Sequence, residues 1–334
     1  MTTIKNNKSS ASKKITRALL KEAGIGVALV ILLVFFTLAH SKFMTMSNVS
    51  NILTQISINT IIAAGMTFVI LLGGIDLSVG AVLALCAVVS AKILTLASLP
   101  PFMAISLAVI ASIIAGLLCG LISGSICEKW KIHSFIVTLG MLNIARGLAL
   151  EIADARTIFG FPMSFNSFGA MTIFNIPVIF IIAILVVIIG GLVLSKTVFG
   201  RMIYAIGNNE ESVRLSGHNP VKYKIIAFAI CGGATGLAAI MYMLRLNIAN
   251  PILGTGFELN AIAAVVIGGT SLFGGKGSML GTFLGACIMG VLGNGLLLMG
   301  LGDFTRQIIT GIVIILAVIL DTYRGRLEKR LTDY

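Results

Sequence analysis

The chain has 334 residues, of which 57% are hydrophobic and 11% charged, where a soluble domain carries about 25% charged residues. Its mean hydropathy of +1.06 excludes a soluble globule, and equally a disordered chain, which needs few apolar residues and many charges. The net charge of +12, from 24 Lys and Arg against 12 Asp and Glu, is explained by orientation in a bilayer and not by a nucleic-acid partner.

About 20 apolar residues make one helical span, so ten spans fit this length with room for loops and tails. The alternating pattern of outer-membrane barrel strands is absent. The first 23 residues are polar and basic, with Lys5, Lys8, Lys13, Lys14, Arg17 and Lys21. The apolar run 24–39 ends at Leu38-Ala39-His40-Ser41-Lys42, a poor cleavage site, so it reads as a first transmembrane helix and not as a signal peptide. Further spans are expected at 51–73, 78–97, 102–126, 134–150, 177–195, 225–244, 259–273, 279–300 and 306–321. Pro100-Pro101 breaks the chain before the fourth span. Pro177 opens the sixth after a polar stretch from Glu151 to Asn175, and 196–224 is the longest hydrophilic connection between spans.

The basic residues fix the orientation. With the amino terminus inside, the inner pieces hold about 18 of the 24 Lys and Arg; Lys42, Lys92, Arg146, Arg156, Arg245 and Arg306 fall outside. An excess of Lys and Arg marks the cytoplasmic side. The expectation is an all-α polytopic membrane protein of about ten transmembrane helices with both termini cytoplasmic. It divides into a basic tail 1–23, a transmembrane domain 24–322 carrying the cytoplasmic loop 196–224, and a tail 323–334.

Several strings invite chemistry. Gly73-Gly74-Ile75-Asp76-Leu77-Ser78-Val79-Gly80 follows the second span, and Gly268-Gly269-Thr270-Ser271-Leu272-Phe273-Gly274-Gly275 closes the eighth. Both fit G-G-x-x-L-x-x-G, either by chance in glycine-rich helices or as an internal repeat of spans one to four in spans seven to ten, a symmetry transporters often show. Asp76 is a carboxylate at membrane depth, hence a candidate proton or substrate site. Alternatively, Asp76 or Ser78 caps the third span by accepting from its first free amides.

Gly275-Lys276-Gly277-Ser278 is not a phosphate loop, because Thr270 stands where the first glycine of that motif belongs. Gly116, Gly120 and Gly124, and likewise Gly281 and Gly285, stand four apart, a spacing that lets helix backbones approach closely. Cys86, Cys119, Cys127, Cys231 and Cys287 lie in or beside apolar runs and read as small buried hydrophobes. His40, His133 and His218 are too scattered to bind a metal, and no intramembrane-enzyme motif occurs. Arg146, Glu151, Asp154, Arg156, Arg245, Glu258, Asp303 and Arg306 lie near outer ends, solvated, paired at the interface, or docking an external partner.

The loop 196–224 contains Gly200, Arg201, Gly207, Asn209, Glu210, Glu211, Arg214 and Gly217. A short amphipathic helix ending at Gly217, with that glycine just past its end, fits this stretch. Glu210 and Arg214 lie four apart and can pair on one face. Such a helix at the cytoplasmic face is a natural docking knob for a soluble motor; the plainer alternative is a polar connection.

From about Phe43 to Asp321 the chain resembles the permease subunits of ATP-binding-cassette importers for simple sugars of the ribose, xylose, arabinose and galactose type, and it looks most like the ribose permeases. The specific parts are the Gly73 to Gly80 string, the loop from Gly200-Arg201 to Gly217, and the run from Glu258 and Asn260 through Gly268, Gly269, Thr270 and Ser271 to Gly277. The resemblance implies that two permease subunits, here as a homodimer, form the pore for a monosaccharide in the bacterial inner membrane. It also implies that a separate cytoplasmic ATPase binds the loops and a periplasmic sugar-binding protein delivers the sugar. No cofactor, metal or nucleic acid is implied. The stretch from Glu210 to Gly217 corresponds to the segment that engages the ATPase. The family usually places two alanines after the first glutamate; here stand Glu211 and Ser212. The rival reading is a self-sufficient secondary transporter using Asp76 as its proton site.

Overall fold

The computed structural model describes residues 22–96 and 98–332, with side chains to 319. Most of the expected basic tail, 1–21, lies outside the described residues. The chain is helical in succession: α1 (Glu22–Ala39), α2 (Met46–Leu71), α3 (Val79–Leu94), α4 (Pro101–Trp130), α5 (Ser134–Ile152) and the short α6 (Met163–Gly169). A two-stranded antiparallel hairpin follows, β1 (Thr172–Ile173) and β2 (Ile176–Pro177), paired Thr172 to Pro177 and Ile173 to Ile176. Its turn residues Phe174 and Asn175 both have positive φ, the geometry that matches strand twist in a two-residue hairpin loop. Then come α7 (Val178–Lys196), α8 (Val198–Asn208), α9 (Glu210–Leu215), α10 (Pro220–Leu246), α11 (Phe257–Ile267), α12 (Met279–Leu298) and α13 (Asp303–Thr332).

Seven of these, α1, α2, α4, α5, α7, α10 and α12, are long and apolar enough to cross a membrane. The ten expected spans correspond to these seven together with α3, α11 and α13. Two expectations need correction. The eighth span, expected over 259–273, is α11 and stops at Ile267. At 1.5 Å per residue its 11 residues rise only about 16 Å, roughly half a bilayer core. The carboxyl-terminal tail expected from 323 continues α13 as helix to Thr332.

The burial pattern sorts the helices. α2 is the most buried of the seven, followed by α10 and α12, while α1, α4, α5 and α7 turn most of their surface outward. Ile61, Ile62, Met66 and Ile70 of α2 pack with α3, with Ala238 and Met243 of α10, and with Ala261 to Val265 of α11. Without a hydrophobic drive between helices in lipid, close backbone packing and hydrogen bonds hold such a bundle. Both devices are present. A Cβ on Gly116 of α4 would collide with the carbonyl of Gly232 on α10, and one on Gly232 with the carbonyl of Gly116. Ser112 donates to the carbonyl of Gly236 at 2.8 Å along the same seam. Between α2 and α12, Asn48 and Asn294 exchange two amide hydrogen bonds of 3.0 Å, and the hydroxyls of Thr67 and Thr282 meet at 2.8 Å.

Candidate functional site

Two glycine turns organise the end of the molecule that carries α8 and α9. At the end of α2, Gly73 has φ +77; its N–H donates to Ile70 and that of Gly74 to Val69, at 2.8 and 3.0 Å. At the end of α11, Gly269 has φ +79; its N–H donates to Val266 and that of Thr270 to Val265, at 2.8 and 3.1 Å. Both are left-handed helix closures in which glycine carries no steric penalty. The structure therefore equates Gly73 with Gly269, one residue away from the string match of Gly73 with Gly268. Gly268, at φ −64, is still the cap residue, and the left-handed position is the next one.

Beyond Gly74 the chain runs without helix through Ile75 to Ser78, tied to the start of α5 by Ile75 N–H donating to Ser134 Oγ at 3.0 Å. Asp76 is buried, and its Oδ1 accepts from the Ser78 N–H at 2.8 Å and the Ser78 hydroxyl at 2.6 Å. The capping expectation is thereby corrected. Neither Asp76 nor Ser78 bonds the first free amides of α3; Asp76 lies two residues too early and closes an aspartate turn on Ser78 instead.

Gly80, in the first turn of α3, presses against the carbonyl of Gly254 and the side chain of Glu258. The segment before α11 is built from polar contacts. Arg146 Nη1 donates to the carbonyls of Pro251 and Leu253 at 2.6 and 2.9 Å. Ala249 bridges Ile158, Asn250 donates to Thr157 at 2.8 Å, and Glu258 accepts from the Gly256 N–H at 3.2 Å. Asn260 follows, half-buried on α11. Arg146, grouped by sequence with the outer-end charges, is thus a half-buried strap on this segment. Its place inside an apolar helix was the available signal.

The turn after α11 meets both α2 and α8. Gly275 N–H donates to the Leu71 carbonyl at 2.8 Å. Tyr204 donates to the Gly277 carbonyl at 2.9 Å and Asn208 to the Gly275 carbonyl at 3.3 Å. A Cβ on Gly207 would strike the Leu71 carbonyl and the Gly275 nitrogen. Gly73, Gly207, Gly274 and Gly275 therefore come together, with Gly268, Thr270 and Ser271 immediately behind them. Thr270 is fully buried, and its hydroxyl has no hydrogen-bond partner among the described residues.

The loop 196–224 holds two helices where sequence expected one, because Asn209, at φ −161 and ψ +99, breaks them apart. Thr197 caps α8 by accepting from Gly200, and Asn209 caps α9 by accepting from Ser212. Gly200 is buried against the end of α7 and Arg201 is exposed. Gly217 stands at φ +82 with its N–H donating to Arg214 at 3.0 Å, the left-handed position expected for it. The expected Glu210–Arg214 pair is not formed. Arg214 pairs with Glu211 at 2.7 and 3.0 Å, and Glu210 turns to Lys224 at 2.6 Å. Lys224, on α10, lies across from Glu210 and takes it, leaving Glu211 on the adjacent face for Arg214. The hydrogen bonds from Arg214 hold the Glu211 carboxyl below its ordinary pKa, and Glu211 in turn raises that of Arg214.

The family model described as "Branched-chain amino acid transport system / permease component" matches residues 48–318. The chain belongs to this permease family. It is a multi-pass membrane protein and a transport subunit, not an enzyme. The ribose import permease protein RbsC of Haemophilus influenzae is 41% identical over 303 residues, covering 90% of this chain and 92% of the relative. RbsC of Bacillus subtilis is 42% identical over 304 residues, covering 90% and 93%. The D-allose transport system permease protein AlsC of Escherichia coli K12 is 37% identical over 292 residues, covering 87% and 88%. No solved structure matches the chain. The family match runs from the start of α2 into α13, so it includes every element of the assembly around Gly73, Gly207 and Gly275.

Proposed function

We propose that this chain is the membrane-spanning subunit of an ATP-driven importer of a monosaccharide, ribose or a close relative of it. In this reading two copies form the translocation pathway in the bacterial inner membrane. A cytoplasmic ATPase grips α8 and α9, and a periplasmic binding protein delivers the sugar. The chain crosses the membrane ten times with both termini cytoplasmic, as domain 24–322 between the segments 1–23 and 323–334; α11 with the non-helical backbone beside it makes the eighth crossing, and the end of α13 forms most of the last segment. The observation that carries the reading is the contact of α8 with the ends of α2 and α11. A push on the segment 196–224 is passed through Gly207, Tyr204 and Asn208 to the turns that close two buried helices. The names of the similar permeases supply the sugar class.

The candidate residues take roles accordingly. Gly200, Arg201, Gly207, Asn209, Glu210, Glu211, Arg214 and Gly217 shape the surface offered to the ATPase. Gly73, Gly74, Asp76, Ser78, Gly80, Glu258, Asn260, Gly268, Gly269, Thr270 and Ser271 build the turns that move. Affinity for sugar resides in the binding protein, and alternating access follows from rocking of these helices. Reconstitution in vesicles with ATPase and binding protein tests this: uptake of labelled ribose should require all three proteins and ATP. Uptake by this chain alone, driven by a proton gradient, would instead establish the secondary transporter. Single cysteines near 10, within 208–212 and near 330 should react only from the cytoplasmic side, and labelling from outside would overturn the ten-span arrangement.

A further inference from the structure

We infer that Lys224 is a positioning residue that ties α9 to the α4–α10 pair, so that a push on α9 moves those two helices as one body. The inference rests on the proposed ATP-driven function. The Lys224 ammonium lies 2.6 Å from Glu210 Oε2 and 3.2 Å from Glu128 Oε1. Glu210 opens α9, Lys224 stands in the first turns of α10, and Glu128 is in the last turn of α4. Glu128 also accepts from Lys131 through its other oxygen at 2.9 Å. Lys224 and Glu128 side chains are only 18% and 10% exposed, against 43% for Glu210. The inner end of the bridge is therefore shielded from water and salt, where an ion pair holds its geometry better than on the surface.

Three features turn this bridge into a strut. First, α4 and α10 cannot slide independently, because the backbones at Gly116, Gly120, Gly232 and Gly236 touch directly. Second, α9 has little other hold on the bundle: Val213 is its one buried residue, and an apolar contact fixes neither direction nor distance. Third, α8 has fastenings of its own, to α2, to the 271–277 turn and, through Phe199 stacked on Tyr223, to α10, and Asn209 separates it from α9 by non-helical backbone. The segment 196–224 is thus held at two separate points, α8 by ring stacking and hydrogen bonds to backbone carbonyls and α9 by the Lys224 bridge, which of the two reaches α4. Removing Lys224 leaves Glu128 and Glu210 facing one another, and like charges so placed push α9 away from α4.

The experiment uses the full complex in vesicles and reads sugar uptake and ATP hydrolysis together. Lys224→Met should leave the chain inserted and ATP hydrolysis running while uptake falls about tenfold, so that ATP consumed per sugar rises by the same factor. Lys224→Arg, which can still bridge two carboxylates, should restore the wild-type ratio. Glu210→Gln should raise the ratio too, and the double variant should be no worse than Lys224→Met alone. If Lys224→Met does not fold, Glu210→Gln tests the strut from its exposed end. A wild-type ratio in both Lys224→Met and Glu210→Gln would overturn the strut. No ATP-driven uptake by the native complex would defeat the functional reading instead, and the strut then has its own measurement. Spin labels at Ser212 and Lys222, with the native cysteines replaced, should give a narrow distance distribution in the native chain and a broad one in Lys224→Met. Equal widths would overturn the inference whatever the complex transports.

Discussion

The reciprocal amide pair between Asn48 and Asn294 offers a direct measurement of what holds α2 to α12. Both side chains are buried, at 9% and 5% exposure, and Asn48 also donates to the Phe43 carbonyl at 2.8 Å. A net hydrogen bond contributes about 0.5–1.5 kcal/mol, and interhelical ones in membranes average about 0.6 kcal/mol. The two bonds together are therefore worth about 1–2 kcal/mol. Asn294→Leu removes both and leaves Asn48 Oδ1 buried without a donor, a further penalty of about 1–3 kcal/mol. Its total cost should be about 2–5 kcal/mol. Asn48→Leu loses the Phe43 bond as well and should cost at least as much. In the double leucine variant neither amide is left unpaired and only the Phe43 carbonyl has lost its donor, so its cost should fall below the sum of the singles by about 2 kcal/mol. Reversible unfolding in mixed detergent micelles, followed by circular dichroism, gives all three values. Single costs that add to within about 0.5 kcal/mol in the double variant would show that the two amides do not interact, and the reasoning would fail.

Other expectations follow from the turns and from the α8–α9 segment. Gly217→Val meets open space but forces a β-branched residue to φ +82, costing about 1–2 kcal/mol locally; the chain should insert normally while the binding protein loses its stimulation of ATP hydrolysis. Gly207→Ala drives a methyl into the Leu71 carbonyl and should abolish uptake with the ATPase still bound, measured by co-purification; normal uptake would remove this contact from the mechanism. Asp76→Asn keeps an acceptor for Ser78 and should transport, whereas Asp76→Ala should lower the melting temperature; loss of transport in a folded Asn variant would assign the charge itself a role. Glu211 has its pKa lowered by Arg214, so the pair's contribution is present above the ordinary carboxylate value and is lost as pH falls through the depressed one. Carboxyl NMR should find the Glu211 midpoint below that of a free glutamate, and Arg214→Gln should bring it back.

Long apolar runs made α7 readable within a residue at both ends, and α4 within a residue at its start and four at its end, because composition alone decides a lipid-facing helix. The end of α11 was not readable. Leu272 and Phe273 keep the run apolar after Ile267, and only the left-handed turn at Gly269 shows where the helix stops. The small-residue rows of α4 announced a close contact, but its partners, Gly232 and Gly236, lie more than a hundred residues away. Long separation in sequence likewise hid Asn48 with Asn294 and Glu128 with Lys224. Near-neighbour rules offered Glu210 both Arg214 and solvent; the ion that takes it arrives from another helix. Gly217 was legible because a helix closure is a local event.

The brevity of α11 bears on how the protein is made. A stretch of 11 helical residues is too short to partition into lipid as an independent span, which takes about 20 residues. The non-helical backbone on either side of it is admissible at membrane depth only where protein covers it. Much of that cover, the Leu71 carbonyl, Arg146 and Gly80, precedes α11 in the chain, while Gly281 of α12 closes on Gly268 from the other side. During synthesis this hairpin of α11 and α12 therefore cannot be left in lipid to await its neighbours. It must be received by helices already in place, and Arg146, translated a hundred residues earlier, acts as the receiving hand.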